Sequence, residues 1–274
     1  MGKPRVVAVG SAMIDLIANV GRMPMLGETV VGLSFRQGFG GKGANQAVMA
    51  ALLGADVAFV GRLGADDFAR SALENLQAYG IRTESVCFDD EMPSGVAPIT
   101  VDGEGHNTVV IVPGANDRLT PADVAAAAVD IQAAQVVVCQ CEVPEEADLA
   151  AFRLAKSVVA TTILNPAPAR PIATELLGLT DVLIPNETEA SLLTELTVDS
   201  VESAREAASQ LRDRGVGAVV ITLGERGALV HTESEVTMIE AIQVTSIDST
   251  GAGDVFVGTL AAELAAGSPL GAWL

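Results

Sequence analysis

Apolar residues arrive in short β-branched runs, each closed by glycine or a polar residue and followed by a stretch with helical spacing. Arg5 to Gly10 is the first such run, and it predicts a buried parallel strand that opens onto a loop. A Gly-rich stretch then leads into a small-residue helix from about Asn45 to Leu53, ended by Gly54. Val57 to Val60 predicts the next strand, and Asp66 to Tyr79 a helix stopped by Gly80. After Pro121 an Ala-rich helix is followed by strand Val136 to Cys139, helix Glu145 to Lys156 and strand Val159 to Leu164. Strand Val182 to Ile184, helices Thr188 to Leu193 and Val201 to Arg214, and strand Ala218 to Thr222 continue the pattern. The run Val255, Phe256, Val257 reads as the first buried turn of a last helix. Strands and helices alternating without an internal repeat predict an α/β fold, with a doubly wound, mostly parallel sheet flanked by helices.

Two stretches depart from that period. Ile17 to Phe35 carries short alternating runs among Gly, Pro and Thr, and Gly95 to Val112 alternates about a hairpin tip at Asp102 to Gly105. These two insertions are expected to form a small antiparallel sheet over one mouth of the larger domain, a lid that excludes water. The expected division is 1–14, 38–92 and 113–274 for the α/β domain, with 15–37 and 93–112 for the lid.

Composition narrows the function classes. The 274 residues, 49% of them hydrophobic, suffice for one large core. No apolar stretch reaches the ~20 residues of a membrane span, and the N-terminus lacks a signal-peptide pattern, so a cytoplasmic protein is expected. A formal net charge of −19 disfavours nucleic acid and anionic membrane as partners. An anionic substrate would need a metal ion, or focused amides and Lys/Arg, to offset that field. Cys87, Cys139 and Cys141 form no CxxC pair, which predicts reduced thiols and no zinc site. His106 and His231 give no metal-ligand spacing.

Polar residues gather where strands end. Asp15 lies just past the first strand, Glu142 and Asn165 follow two others, Asn186 and Glu189 (PNETEA) a fourth, and Thr222 and Gly224 (TLGERG) a fifth. Ligands of open α/β sheets bind along this rim, so Asp15 is either a substrate contact or a solvated loop carboxylate. Around Lys42 the segment FGGKGANQA has neither P-loop nor dinucleotide spacing; Lys42 and Asn45 present donors suited to hydroxyls, or Lys42 is a surface residue beside a helix cap. In DSTGAGD, Asp248 to Asp254, small residues let the backbone expose its amides as an anion cradle. Asp254 would repel a phosphate held there, but it makes sense as a base while the Gly251, Ala252 and Gly253 amides stabilise charge on a phosphoryl group in flight. The alternative is a Gly-rich turn whose acidic residue complements the helix dipole.

With GGKGAN, NPAPA, PNETEA, TLGERG and DSTGAGD in this order, the chain resembles the ribokinase (PfkB-like) family of carbohydrate kinases nearly end to end. The resemblance implies ATP-dependent phosphoryl transfer to a sugar hydroxyl, the 5-hydroxyl of D-ribose first, with deoxyribose, fructose or a nucleoside as alternatives. It implies Asp254 as base and the Gly251, Ala252 and Gly253 amides as anion hole. Asp15, Gly41, Lys42, Asn45, Glu142 and Asp254 would hold the sugar, and Asn186, Thr222, Gly224 and Gly227 the nucleotide. Glu189 would organise Mg2+ indirectly, while Asp248 and Thr250 would contribute to a monovalent-cation site for K+. A homodimer through the lid is implied as well. Two departures stand out. Met13 replaces the asparagine usual in the family, which points to weaker ribose binding or a less hydroxylated sugar. Ser268 and Pro269 predict a helix start with only Leu270 to Leu274 to follow, so the segment that walls the adenine pocket in relatives, and completes the cation site, is expected to be lacking. A truncated sugar-binding relative with little activity is the non-enzyme alternative.

Overall fold

The computed structural model describes residues 2–244 and 249–270. The chain begins with β1 (Arg5–Val9), then β2 (Met13–Val20) and β3 (Gly32–Gly40), and enters α1 (Lys42–Leu52). Next come β4 (Asp56–Gly64), α2 (Asp67–Ala78), β5 (Val86–Asp89), β6 (Gly95–Val101) and β7 (Asn107–Val109). Helices α3 (Pro121–Ala126) and α4 (Ala128–Ala133) precede β8 (Val136–Gln140), α5 (Glu145–Lys156), β9 (Thr161–Asn165), α6 (Thr174–Gly178) and β10 (Val182–Leu183). Helices α7 (Glu187–Thr194) and α8 (Val201–Asp213), strands β11 (Ala218–Thr222), β12 (Ala228–His231) and β13 (Val236–Ile239), and helix α9 (Ala252–Ala265) complete it.

Among the described residues, nine strands form the main sheet in the order β13-β12-β11-β10-β9-β8-β1-β4-β5. From β11 to β5 every pair is parallel, and β12 and β13 add an antiparallel edge. The strands read as unbroken apolar runs because both faces are covered. Val7, Val9, Val137 and Cys139 face the layer of α3 to α8, whereas Val6, Ala8, Val136 and Val138 face α1, α2 and α9. The chain leaves β1 toward β4 on one side and later returns to β8 on the other. That reversal opens a crevice at the carboxyl ends of β1 and β8, where ligands of such sheets bind.

The smaller sheet, in the order β3-β2-β6-β7, is mixed, not wholly antiparallel as expected. Its outer pairs are antiparallel, but the central β2–β6 pair is parallel. The reason is topological: β2 follows the carboxyl end of β1 and β6 that of β5, so both leave the same rim in the same direction. Helix α1 starts at Lys42, three residues before the expected Asn45, because Gly41 takes the turn at φ 90°. Strand β9 starts at Thr161, because Val159, at φ 62°, belongs to the preceding turn. The helix expected after Pro269 falls mainly at 271–274, outside the described residues.

Helix α9 lies against α1, and a Cβ on Gly258 would stand 2.6 Å from the Gln46 carbonyl oxygen and 2.7 Å from Met49 Cβ. This close approach carries residues 45 and 46 to the first turn of α9. Gly258→Val should therefore force the helices apart and cost ~1–3 kcal/mol, as overpacked cores do. Denaturant melts check this; an unchanged midpoint would show that the two helices tolerate separation.

Candidate active site

The loop from β1 to β2 is fixed before any ligand arrives. Asn116 is buried and grips Ala12 on both sides: its Oδ1 accepts from the Ala12 amide at 3.0 Å, and its Nδ2 donates to the Ala12 carbonyl at 3.1 Å. Across the crevice, Glu142 Oε2 accepts from the Ser11 hydroxyl and, at 2.8 Å, from the Lys42 amide. One carboxylate thus ties together the loop after β8, the loop after β1 and the start of α1. Gly41 allows this crossing, since a Cβ there would lie 2.7 Å from Ala12 Cα.

Asp15 lies on β2 opposite Gly38, and Gly40 leaves space that a Cβ would fill against its carboxylate. Burial raises the Asp15 carboxyl above its ordinary value, partly offset by the Arg36 guanidinium. Asp254, in the first turn of α9, is only 5% exposed. Asn45 Nδ2 donates to its Oδ2 at 3.0 Å, Gln46 Nε2 donates to its Oδ1 at 3.0 Å, and Lys42 Nζ stands 3.9 Å from Oδ1. Gly251 caps the helix at φ 76°, and the Ala252 amide donates to the Ser249 carbonyl at 3.1 Å. The N-terminal amides of a helix have no partner within it, so this end favours negative charge.

Two cavities meet at this turn. The first, about 420 Å³, is lined by Asp15, Phe39, Asn45, Thr250, Gly251 and Asp254, with an apolar far wall that includes Met49 and Tyr79. The second, about 900 Å³, is lined by Asn186, Thr222, Gly224, Gly227, Ala252 and Gly253. Val255 borders the first and Phe256 the second, and of the three only Val257 enters the core. The apolar run is therefore not a buried turn throughout: at 100° per residue, three consecutive side chains point three ways.

The expected site residues sort by position. Asp15, Asn45, Thr250, Gly251 and Asp254 face the smaller cavity, and Asn186, Thr222, Gly224, Gly227, Ala252 and Gly253 the larger. Gly41 and Glu142 hold loops, and Lys42 reaches Asp254. Glu189 is buried as the partner of Asn186 in a capping box at the start of α7: its oxygens accept from the Asn186 amide at 2.8 Å and from Nδ2 at 2.9 Å. Burial raises its carboxyl, with the Asn186 amide and Lys42 opposing and Asp254 adding to the rise. Asp248 lies outside the described residues. Cys139 and Cys141 are core residues, and burial pushes the Cys141 thiol up to about 11. Sequence reasoning missed Ser11, Gln46 and Gln140. The glutamines gave no distinct signal, since Gln46 follows Asn45 in a polar helix start and Gln140 merely ends a valine run.

The fold and this pair of cavities, joined at a carboxylate on a helix N-terminus, are those of a phosphotransferase acting on a sugar hydroxyl. Residues 3–273 match the pfkB family carbohydrate kinase description, and the chain belongs to that family. It is 41% identical to the ribokinase of Staphylococcus aureus over 95% of this chain and 86% of that one. With the deoxyribokinase of Salmonella typhi it shares 40% identity over 93% of this chain and 84% of the relative. The solved structure of Arabidopsis thaliana ribokinase complexed with ribose and ATP superposes with a TM-score of 0.89 at 31% identity, covering 99% of this chain and 88% of that one. Among the described residues, no helix is long and apolar enough to cross a membrane.

Proposed function

We propose that the protein transfers the γ-phosphoryl group of ATP to the primary hydroxyl of a pentose, D-ribose first. The observation that carries this reading is the meeting of the two cavities at Asp254 and the first turn of α9. The pentose occupies the smaller cavity, where Asp15 and Asn45 offer an acceptor and a donor to its hydroxyls. ATP occupies the larger, with its phosphates toward Ala252 and Gly253. As the hydroxyl oxygen bonds to phosphorus and the β–γ bridge breaks, its proton passes to Asp254 and ADP leaves. Amides at the α9 terminus and the Lys42 ammonium stabilise the charge in transit. The small sheet, acting as a lid, keeps water from competing as acceptor.

Mg2+ is the expected companion of ATP, and neutralises the phosphates when bound. Among the described residues no cluster of three His, Cys, Asp or Glu side chains forms a metal cage. Mg2+ keeps several waters and travels with the nucleotide phosphates, and Glu189, buried beside Asn186 at the start of α7, would organise it indirectly. K+ is expected through Thr250 and Asp248. The reading includes a cytoplasmic setting. Exposed Leu33 and Phe35 on β3 support a homodimer through the small sheet, and sedimentation at monomer mass across micromolar concentrations would refute it.

A second reading, 2-deoxyribose as the preferred pentose, is favoured by Met13. Its thioether is buried at the start of β2 between Gly40 and Gly95, and it cannot donate a hydrogen bond to a sugar hydroxyl. The name of the Salmonella typhi relative points the same way. The test is kcat/KM for D-ribose and 2-deoxyribose with ATP, Mg2+ and K+. Met13→Asn should raise the ribose-to-deoxyribose ratio ~5-fold or more, the worth of about one hydrogen bond of ~1 kcal/mol. An unchanged ratio would remove Met13 from the specificity argument, and no turnover of any pentose would overturn the function.

A further inference from the structure

Behind Asp254 lies a chain of amides that the transfer step does not use. Gln46 on α1, Gln140 at the end of β8 and Asn165 at the end of β9 are all buried, and Gln140 and Asn165 are neighbours in register. Gln46 Nε2 donates to Asp254 Oδ1 at 3.0 Å and to Asn165 Oδ1 at 3.1 Å. Gln140 Nε2 donates to Gln46 Oε1 at 2.7 Å, and Asn165 Nδ2 donates to the Ile184 carbonyl at 2.9 Å.

The direction of every amide is set from the two ends. The Ile184 carbonyl only accepts, so Asn165 must turn its oxygen toward Gln46. A carboxylate only accepts, so Gln46 must turn its nitrogen toward both Asp254 and Asn165. That leaves the Gln46 oxygen for Gln140, whose own nitrogen must face it. The remaining atom, Gln140 Oε1, is buried and has no hydrogen-bond partner among the described residues, and a Cβ on Gly10 would collide with it.

Resting on the reading of Asp254 as base, we infer that Gln46 is a positioning residue that pins its Oδ1 from behind and so aims Oδ2 at the pentose cavity. Asn45 donates to Oδ2 from the cavity wall, whereas Gln46 lines neither cavity. Gln140 and Asn165 lock the orientation of Gln46 and tie the base to the ends of two core strands. A carboxylate held at only one oxygen can rotate about its last torsion, and a reacting group misplaced by ~1 Å loses on the order of 10²-fold in rate.

Gln46→Met keeps the length and removes the donor. It should lower kcat ~10- to 100-fold while calorimetric binding of the pentose stays within about threefold of wild type. In an Asp254→Asn background the same change should alter the residual kcat less than about twofold, because there is no base left to position. Gln140→Leu frees Gln46 to turn, and should lower kcat several-fold with unchanged pentose affinity; it serves if Gln46→Met does not fold. The inference is overturned by a kcat within about twofold of wild type in either folded variant, by an equal loss in the Asp254→Asn background, or by affinity falling in step with kcat. A failure to fold by both variants would also overturn it, since the chain would then be structural. A wild-type chain inactive on every pentose would instead defeat the reading of Asp254 itself.

Discussion

Asp254→Asn should still bind the pentose and ATP, yet turn over at least ~10²-fold more slowly, since a positioned base contributes ~10² to 10⁴ in rate. The substitution keeps the size of the side chain but removes the atom that takes the hydroxyl proton. It also disturbs the donors around it. Asn45 and Gln46 each direct an N–H at one oxygen, so an amide at position 254 must turn its own NH2 toward one of them. Asparagine nearly matches aspartate in size, so the expected loss lies in kcat and not in binding. Steady-state kinetics with calorimetry of both ligands measures the two quantities independently. A kcat within about fivefold of wild type would sink the assignment of Asp254 as base, leaving phosphoryl transfer to positioning and charge neutralisation alone.

Local signals carried most of the main sheet. Helix α5 can be read to the residue from its acidic first turn, its basic last turn and the strand runs on either side. The runs Val136 to Cys139 and Ala218 to Ile221 announce buried strands, because no polar residue interrupts them. Edge strands are less legible: β12 and β13 have four residues each and follow a Gly-rich turn that reads as nucleotide loop material. The parallel pairing of β2 with β6 is invisible locally, since it depends on two segments some 80 residues apart leaving the same rim.

The site divides in the same way. Asp254, Asn45 and Lys42 stand out because charge and amide groups beside glycines are conspicuous in sequence. Gln46 and Gln140 do not, because a glutamine within a helix or at the end of a valine run has many solvent-facing precedents. Their meaning arises only when residues 46, 140, 165 and 254 are brought within hydrogen-bond distance by the α1–α9 contact and the register of β8 with β9. Glu142 shows the complementary case. Its position on the rim is legible, but the sequence offers no hint that it braces loops from its own side of the crevice and from the other.

Glu142→Ala is accordingly expected to damage the site more than its absence from both cavity linings implies. The carboxylate receives the hydroxyl of fully buried Ser11 and the amide that opens α1, so its removal leaves two donors without an acceptor. Stranding a buried donor costs ~1–3 kcal/mol, and the chain relieves that cost by letting the two loops part and water enter. The displaced elements carry Asn45 and Lys42, so pentose affinity should fall on the order of 10²-fold, with a further loss in kcat as Asn45 leaves Asp254. Glu142→Gln retains an oxygen for one donor but presents an NH2 on its other side, and should lie between Ala and wild type. Pentose titrations of the three proteins give the order directly. Equal affinities would mean that the loops are held by Asn116 and the α1–α9 contact alone, and that Glu142 contributes no bracing to the site.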